Sequence, residues 1–237
     1  KLGKKLYITG KGRCNFTNAS DISEFFNMVI RNPKFLYSAF YAFNNQDIIS
    51  LVERMQVEVK TERGGRVFPA SDKSSDIIRA LATNLKLSGA RVELNSRIES
   101  ISHQNGSFIV LCNNTEHVFD KVILCTGGIS YPATGSTGDG YRFAKALGHT
   151  IMEPRGALVP WETLEEWPKT LSGLTLKNVE LKVTQGKKTI LNELGELLFT
   201  HFGISGPLVL TASSLAEAND ETIKLYLDLK PGLTPEM

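Results

Sequence analysis

No apolar run in the sequence approaches the roughly 20 residues a helix needs to cross a bilayer. The opening KLGKKLYITGKGRC is basic but lacks the apolar core of a signal peptide. Cysteine is scarce. Cys14, Cys112 and Cys125 form no Cys-x-x-Cys pair, which argues against a disulfide scaffold or structural zinc site and makes cytoplasmic residence the simplest reading. The four histidines, His103, His117, His149 and His201, show no metal-ligand spacing, so no metal is expected. Neither sign of charge is in excess, with Lys+Arg 27 against Asp+Glu 25. That balance argues against a dedicated nucleic-acid binder. There is no fixed-period repeat and no low-complexity tract.

What is present is a chain of 237 residues, 41% of them hydrophobic, enough for one large domain or two modest ones. Ile22, Phe25, Phe26, Val29 and Ile30 recur at helical spacing until Asn32-Pro33 breaks the pattern. A second helix follows over Phe35, Leu36, Ala39 and Phe40, and a third over Ile48, Leu51, Val52 and Met55. Residues 57–61 alternate like a strand, and 66–69 read as another. Ser74 is placed to cap a helix reaching about Leu87, ended by Gly89, with a strand expected at 90–94. Helix, glycine, strand is half of a parallel α/β unit. Asn105-Gly106 predicts a hairpin between 98–101 and 107–111. Residues 121–125 read as a buried strand, followed by a helix near 140–147. From about Glu153 short strands and turns dominate, including 179–183 and 223–229, which suggests a second domain rich in antiparallel strands.

Three glycine clusters carry the functional argument. In Thr9-Gly10-Lys11-Gly12-Arg13-Cys14-Asn15-Phe16-Thr17-Asn18, the paired glycines let backbone N–H groups approach an anion. Lys11 and Arg13 add positive charge there, and Asn15, Thr17 and Asn18 add neutral hydrogen bonds. A structural turn is the competing reading. Cys14 reads as a small buried side chain or one close to a cofactor, ahead of a nucleophile, because no histidine lies near it in sequence. The second cluster, Cys125-Thr126-Gly127-Gly128, ends a hydrophobic run, where ligands gather in open parallel sheets. The third is Gly135-Ser136-Thr137-Gly138-Asp139-Gly140 before a helix, with Asp139 placed to cap it. It lacks the Gly-Lys-Ser/Thr ending of an ATP loop.

Taken in order, LYITGKGRCNFTN, GGRVFPAS, TGGISYPATGSTGDGYRFAKALGHTI, PRGALVPW, LSGLTLKNV and GELLFTHFGISGPLVL resemble a family of bacterial FAD-dependent oxidoreductases, the YhiN-like flavoproteins, which includes aminoacetone oxidases. The resemblance runs over nearly the whole chain. It implies an α/β fold, a Rossmann-like FAD-binding domain with an inserted β-rich domain, here expected as 1–152 and 153–237. It implies FAD contacts at Gly10, Lys11, Gly12, Arg13, Cys14, Asn15 and Asn18, at Thr126, Gly127 and Gly128, and at Gly138, Asp139 and Gly140. Family members begin with a strand, GxGxxG and helix that hold the pyrophosphate, and later return to the flavin domain. This sequence opens after the first and lacks the second, so the 237-residue chain alone is expected to bind FAD weakly.

The activity implied is electron transfer between flavin and a small organic substrate or reduced nicotinamide, NAD(P)H being the candidate donor. No catalytic base is legible. Cys14, Tyr131 and His201 are the catalytic candidates, each with a packing role as its alternative. His149, at a helix end, reads as a partner of the helix dipole. A noncatalytic nucleotide-binding or interaction module is the rival function. No membrane partner is expected.

Overall fold

The computed structural model describes residues 1–219 and 221–233, and the chain divides into two compact units, Lys1–Glu153 and Pro154–Met237.

The first unit opens on a short helix, α1 (Lys4–Ile8), where the sequence suggested only loop. Its sheet is built from β1 (Thr17–Asn18), β2 (Val59–Glu62) and β3 (Arg66–Pro69), in the antiparallel order β1-β3-β2. Between β1 and β2 run α2 (Ile22–Met28), α3 (Tyr37–Ala42) and α4 (Asn45–Arg54). Phe25, Phe26, Tyr37, Phe40 and Tyr41 pack their rings together across α2 and α3. Asn44 and Asp47 close a reciprocal capping box at the start of α4, satisfying amides that a helix start otherwise leaves unpaired. The amphipathic α5 (Ser74–Leu87) follows β3. Its cap position is Lys73 rather than Ser74, and no side chain caps it. Cys14, Val52 and Ile77 form the buried centre, with Leu6, Phe16, Met55 and Leu81 against it.

A second antiparallel sheet, β4 (Ile98–Gln104), β5 (Ser107–Cys112) and β6 (Thr115–Phe119), forms around the Asn105-Gly106 turn. Phe143 from α6 (Asp139–Ala146) packs on its Ile101 and Val110. The strands expected at 90–94 and 121–125 do not form, and every strand pair among the described residues is antiparallel. The reason is visible in exposure. Val92 is 44% exposed, Leu94 50% and Ile123 86%, and although Val122 packs against the Ile101, Val110 and Phe143 cluster, neither segment has a ladder partner.

The second unit is a five-stranded sheet. Its strands are β7 (Trp161–Glu162), β8 (Thr175–Gln185), β9 (Lys188–Thr200), β10 (Gly203–Ser205) and β11 (Ile223–Asp228), in the order β11-β8-β9-β10-β7. A short α7 (Trp167–Thr170) precedes β8, and α8 (Pro207–Leu215) packs on β9. On β8, Val179, Leu181 and Val183 alternate inward and meet Leu191, Leu197 and Phe199 of β9 and Leu208, Val209 and Ala212 of α8. Gly195 lets α8 approach closely, since a Cβ there would lie 2.9 Å from Leu208. Helices with antiparallel sheets in the first unit and a β-rich second unit make the α/β class with a β-rich region. No helix among the described residues is long and apolar enough to cross a membrane.

Candidate functional site

The glycine loop begins where α1 ends. Gly10 (φ 58°) and Lys11 (φ 57°) are left-handed, Gly12 has φ 86°, and Cys14 has φ 63°. Lys11 and Cys14 are held there against the usual steric preference of L-residues. Cys14 N–H donates to the Thr9 carbonyl (3.0 Å) and Arg13 N–H to that of Gly10 (3.2 Å), closing the turn. A Cβ on Gly10 would lie 2.5 Å from the Asn15 nitrogen, so only glycine fits. Gly12 is different, because the only atom a Cβ would approach there is the Tyr7 oxygen, at 3.8 Å. Its backbone faces open space.

Neighbouring side chains are committed inward. Cys14 is fully buried, and that burial pushes its thiol pKa up. A protonated thiol among Val52 and Ile77 is a packing group and a poor nucleophile. Asn15, with its amide oriented to satisfy both ends, donates to the carbonyls of Val67 (3.2 Å) and Thr17 (3.0 Å). Asn18 donates to the Gly64 carbonyl (2.8 Å) and accepts from the Ser20 N–H (2.8 Å). Arg13 grips Glu62 with both Nη atoms, at 2.8 and 3.3 Å, and donates to Asp72 at 3.2 Å. Its guanidinium lies 4.2 Å from the centroid of the Phe68 ring. Lys11, by contrast, is exposed.

The other two glycine segments interlock within the same unit. A Cβ on Gly140 would overlap Thr126 Oγ1, one on Gly127 would lie 2.8 Å from Ser136 Oγ, and one on Gly138 3.0 Å from Ile129. Lys5 of α1 donates to the Ser130 carbonyl at 2.8 Å, tying the loop's own helix to the residues after Gly128. Gly138 (φ 85°) occupies the cap position of α6 and no side chain caps it. Asp139 is therefore not the cap. It is the first helical residue and accepts from Thr137 Oγ1 (3.0 Å) and Arg142 (3.2 Å), contacts that hold its carboxyl below the ordinary aspartate range.

Of the catalytic candidates, Cys14 and Tyr131 belong to the first unit and His201 to the second. Cys14 is buried, and Tyr131 is left-handed (φ 52°) and 67% exposed. His201 belongs to the second unit, exposed, with its ring edge-on to Phe202 at 4.9 Å. Among the described residues no group of three or more His, Cys, Asp or Glu could hold a metal ion. Two clefts have linings that include no residue of the glycine segments. One, of about 620 Å³, is lined by residues from Arg54 to Leu87, and one, of about 630 Å³, lies in the second unit beside Trp161 and Trp167.

Sequence reasoning missed Lys5, Ser136 and the acidic partners Glu62 and Asp72. The single signal was Lys60 and Glu62, two apart on a strand and hence on one face. Nothing in the order of residues pointed from there to Arg13, 49 positions away.

Comparison with known proteins sets these features in a family. The chain is similar to the ribosomal RNA dihydrouridine synthase of Haemophilus influenzae, 32% identical over 98% of this chain and 56% of that protein. It is similar to the protein of the same name from Escherichia coli, at 31% over 90% of this chain and 52% of that protein. A 3-dehydro-bile acid delta(4,6)-reductase of Clostridium scindens is 26% identical over 97% of this chain and 56% of that protein. The chain thus spans about half the length of the curated relatives it matches. The model of the HI0933-like protein Rossmann domain matches residues 1–211, and the chain belongs to that family.

Proposed function

We propose that this chain is the flavin-facing part of an FAD-dependent oxidoreductase that moves two electrons between the flavin and an unsaturated organic substrate, with NAD(P)H as donor. The observation that carries the reading is the interlocking of residues 126–128 with 136–140, beside a left-handed loop whose Gly12 faces open space. The residues present fit a dinucleotide cofactor. Gly12 and Gly128 leave their backbones approachable, with nothing closer to an added Cβ than 3.8 and 3.5 Å respectively. The first turn of α6, which no side chain caps, has amides that favour an anion. Ionised Asp139 is an acceptor suited to a hydroxyl. Lys11 is the cation left exposed in the loop, whereas Arg13, Asn15 and Asn18 act by shaping it.

The bound flavin would supply the electron-accepting and electron-donating chemistry, and the protein's share is binding and orientation. The names of the relatives favour reduction. A dihydrouridine carries two more hydrogens than a uridine, and a delta(4,6)-reductase removes unsaturation. Oxidation of a small amine, as in aminoacetone oxidases, is the runner-up. Near-neutral charge gives this chain no electrostatic footprint for RNA, so a uridine in ribosomal RNA enters as one substrate among several. We assign residues 1–152 to the FAD-binding domain and 153–237 to a β-rich insert, a division supported by the two compact units. Cytoplasmic residence is supported by three free cysteines.

The test uses the full-length gene product that carries this chain. Denaturation should release FAD, and anaerobic spectra should show NADH or NADPH bleaching the flavin and an unsaturated substrate restoring it. Absence of flavin after reconstitution overturns the cofactor reading. Reoxidation by molecular oxygen only, with no unsaturated compound accepted, overturns the reductase reading.

A further inference from the structure

The left-handed loop needs an external hold. Lys11 and Cys14 each sit in the left-handed backbone region that L-residues disfavour, and such conformations persist only where the surroundings over-determine them. Two side chains supply the hold. Cys14 drops into the core, while Arg13 reaches β2 and the turn after β3. There Glu62 and Asp72 receive it, with Lys60 bridging both carboxylates at 3.9 and 2.5 Å and Arg66 3.8 Å from Glu62. Phe68, 1% exposed, closes the circuit. Arg13 covers one face of its ring, and the ring edge lies 3.1 Å from where a Gly10 Cβ would be.

We infer that Arg13 is a positioning residue, which fixes the loop at 10–14 through Glu62 and Asp72 and makes no direct contact with the cofactor's anionic groups. This rests on the flavin reading above. A phosphate taking the Nη1–Nη2 edge of Arg13 would have to displace the bidentate Glu62 carboxylate, and one meeting Nη1 the Asp72 carboxylate as well. Planar two-point pairing also explains why arginine rather than lysine stands here. The two roles make opposite forecasts for the acidic partner. If Arg13 were the cation for the cofactor, neutralising Glu62 would free it and tighten binding. If Arg13 positions the loop, neutralising Glu62 loosens the loop and weakens binding as loss of Arg13 does.

The experiment compares full-length wild type with Arg13→Gln, Glu62→Gln, Asp72→Asn, the Arg13→Gln/Glu62→Gln double variant and Arg13→Lys. FAD affinity is read by quenching of flavin fluorescence, and amide exchange over residues 9–16 is read by mass spectrometry without added flavin. Thermal unfolding and far-ultraviolet circular dichroism check folding. Arg13→Gln and Glu62→Gln should each weaken FAD binding roughly tenfold, with the double variant no worse than either single, the signature of one shared interaction. Both should speed exchange over 9–16, and visible circular dichroism of the flavin they still bind should change. Arg13→Lys, keeping the charge and losing the fork, should fall between wild type and Arg13→Gln. Tighter or unchanged binding in Glu62→Gln beside weakened binding in Arg13→Gln overturns the proposal, as does unchanged exchange in both. If Arg13→Gln does not fold, Asp72→Asn, which weakens the 3.2 Å contact to Arg13 and the ion pair with Lys60 but leaves the Glu62 fork in place, decides by the same exchange readout. A wild type that binds no FAD defeats the flavin reading, while the exchange data still decide whether Arg13 holds the loop.

Discussion

Gly140 is where the second and third glycine segments come closest, and it sits at the start of α6 without a left-handed backbone. Alanine there would gain about 1 kcal/mol of helix propensity. The added Cβ would overlap Thr126 Oγ1, however, and overpacking costs about 1–3 kcal/mol. The clash should win. Gly140→Ala is expected to lower the melting temperature and loosen flavin retention, and Thr126→Ala in the same chain to restore both. Its next neighbour would then be the residue-126 Cβ, at 3.5 Å, an ordinary contact. Calorimetry on the two variants is the check, and a Gly140→Ala protein as stable as wild type would mean the segments do not interlock as described.

Among elements, the long β8–β9 hairpin is the frame of the second unit. It is set by the alternation of Val179, Leu181 and Val183 and by Gln185, buried at 3% and donating to the Glu217 carbonyl at 2.8 Å. Leu181 is 1% exposed between β9 and β11. Leu181→Ala should destabilise the unit by about 2–5 kcal/mol, through lost transfer energy and the cavity left behind. Trp161 and Trp167 both belong to this unit, and Trp167 lies 5.7 Å from Phe199 in the same core. Tryptophan fluorescence during urea unfolding therefore reads the loss directly. A midpoint unchanged from wild type would place Leu181 outside the cooperative core.

At the scale of the whole molecule, the two units should respond differently to acid. Asp21, Glu62, Asp72 and Asp139 are all held below their ordinary carboxylate range, chiefly by hydrogen bonds from Ser23, Arg13, Lys60 and Thr137 respectively, and all four lie in the first unit. A depressed folded-state pKa contributes stability that is present above the unfolded value and is lost as pH falls through the folded one. The window therefore opens at about pH 4, where unfolded carboxylates take up protons, and runs downward. Between neutral pH and 3, exchange protection in the first unit should fall before tryptophan fluorescence in the second changes. Glu62→Gln should flatten that early loss. One coincident transition in both signals would refute the assignment.

Sequence alone was enough wherever structure is made by near neighbours. The Asn105-Gly106 hairpin, the helix over Ser74–Leu87 and the strands around 179–183 and 223–229 follow from turn chemistry and side-chain period, whereas the first helix ends at Met28, short of the expected Val29 and Ile30 and ahead of Asn32-Pro33. The three glycine segments and their family were legible for the same reason, since left-handed backbone and close approach leave a local mark in residue type. Tertiary structure decided what depends on distant partners. Residues 121–125 have strand composition, but a strand exists only when another supplies its ladder. Residue type shows the charge of Arg13 and not what it pairs with, and Glu62 and Asp72 reach it only after β2 and β3 pair. For Cys14 the sequence left open a small buried side chain or one close to a cofactor, and the loop turns it into the core, where loss of water keeps the thiol protonated.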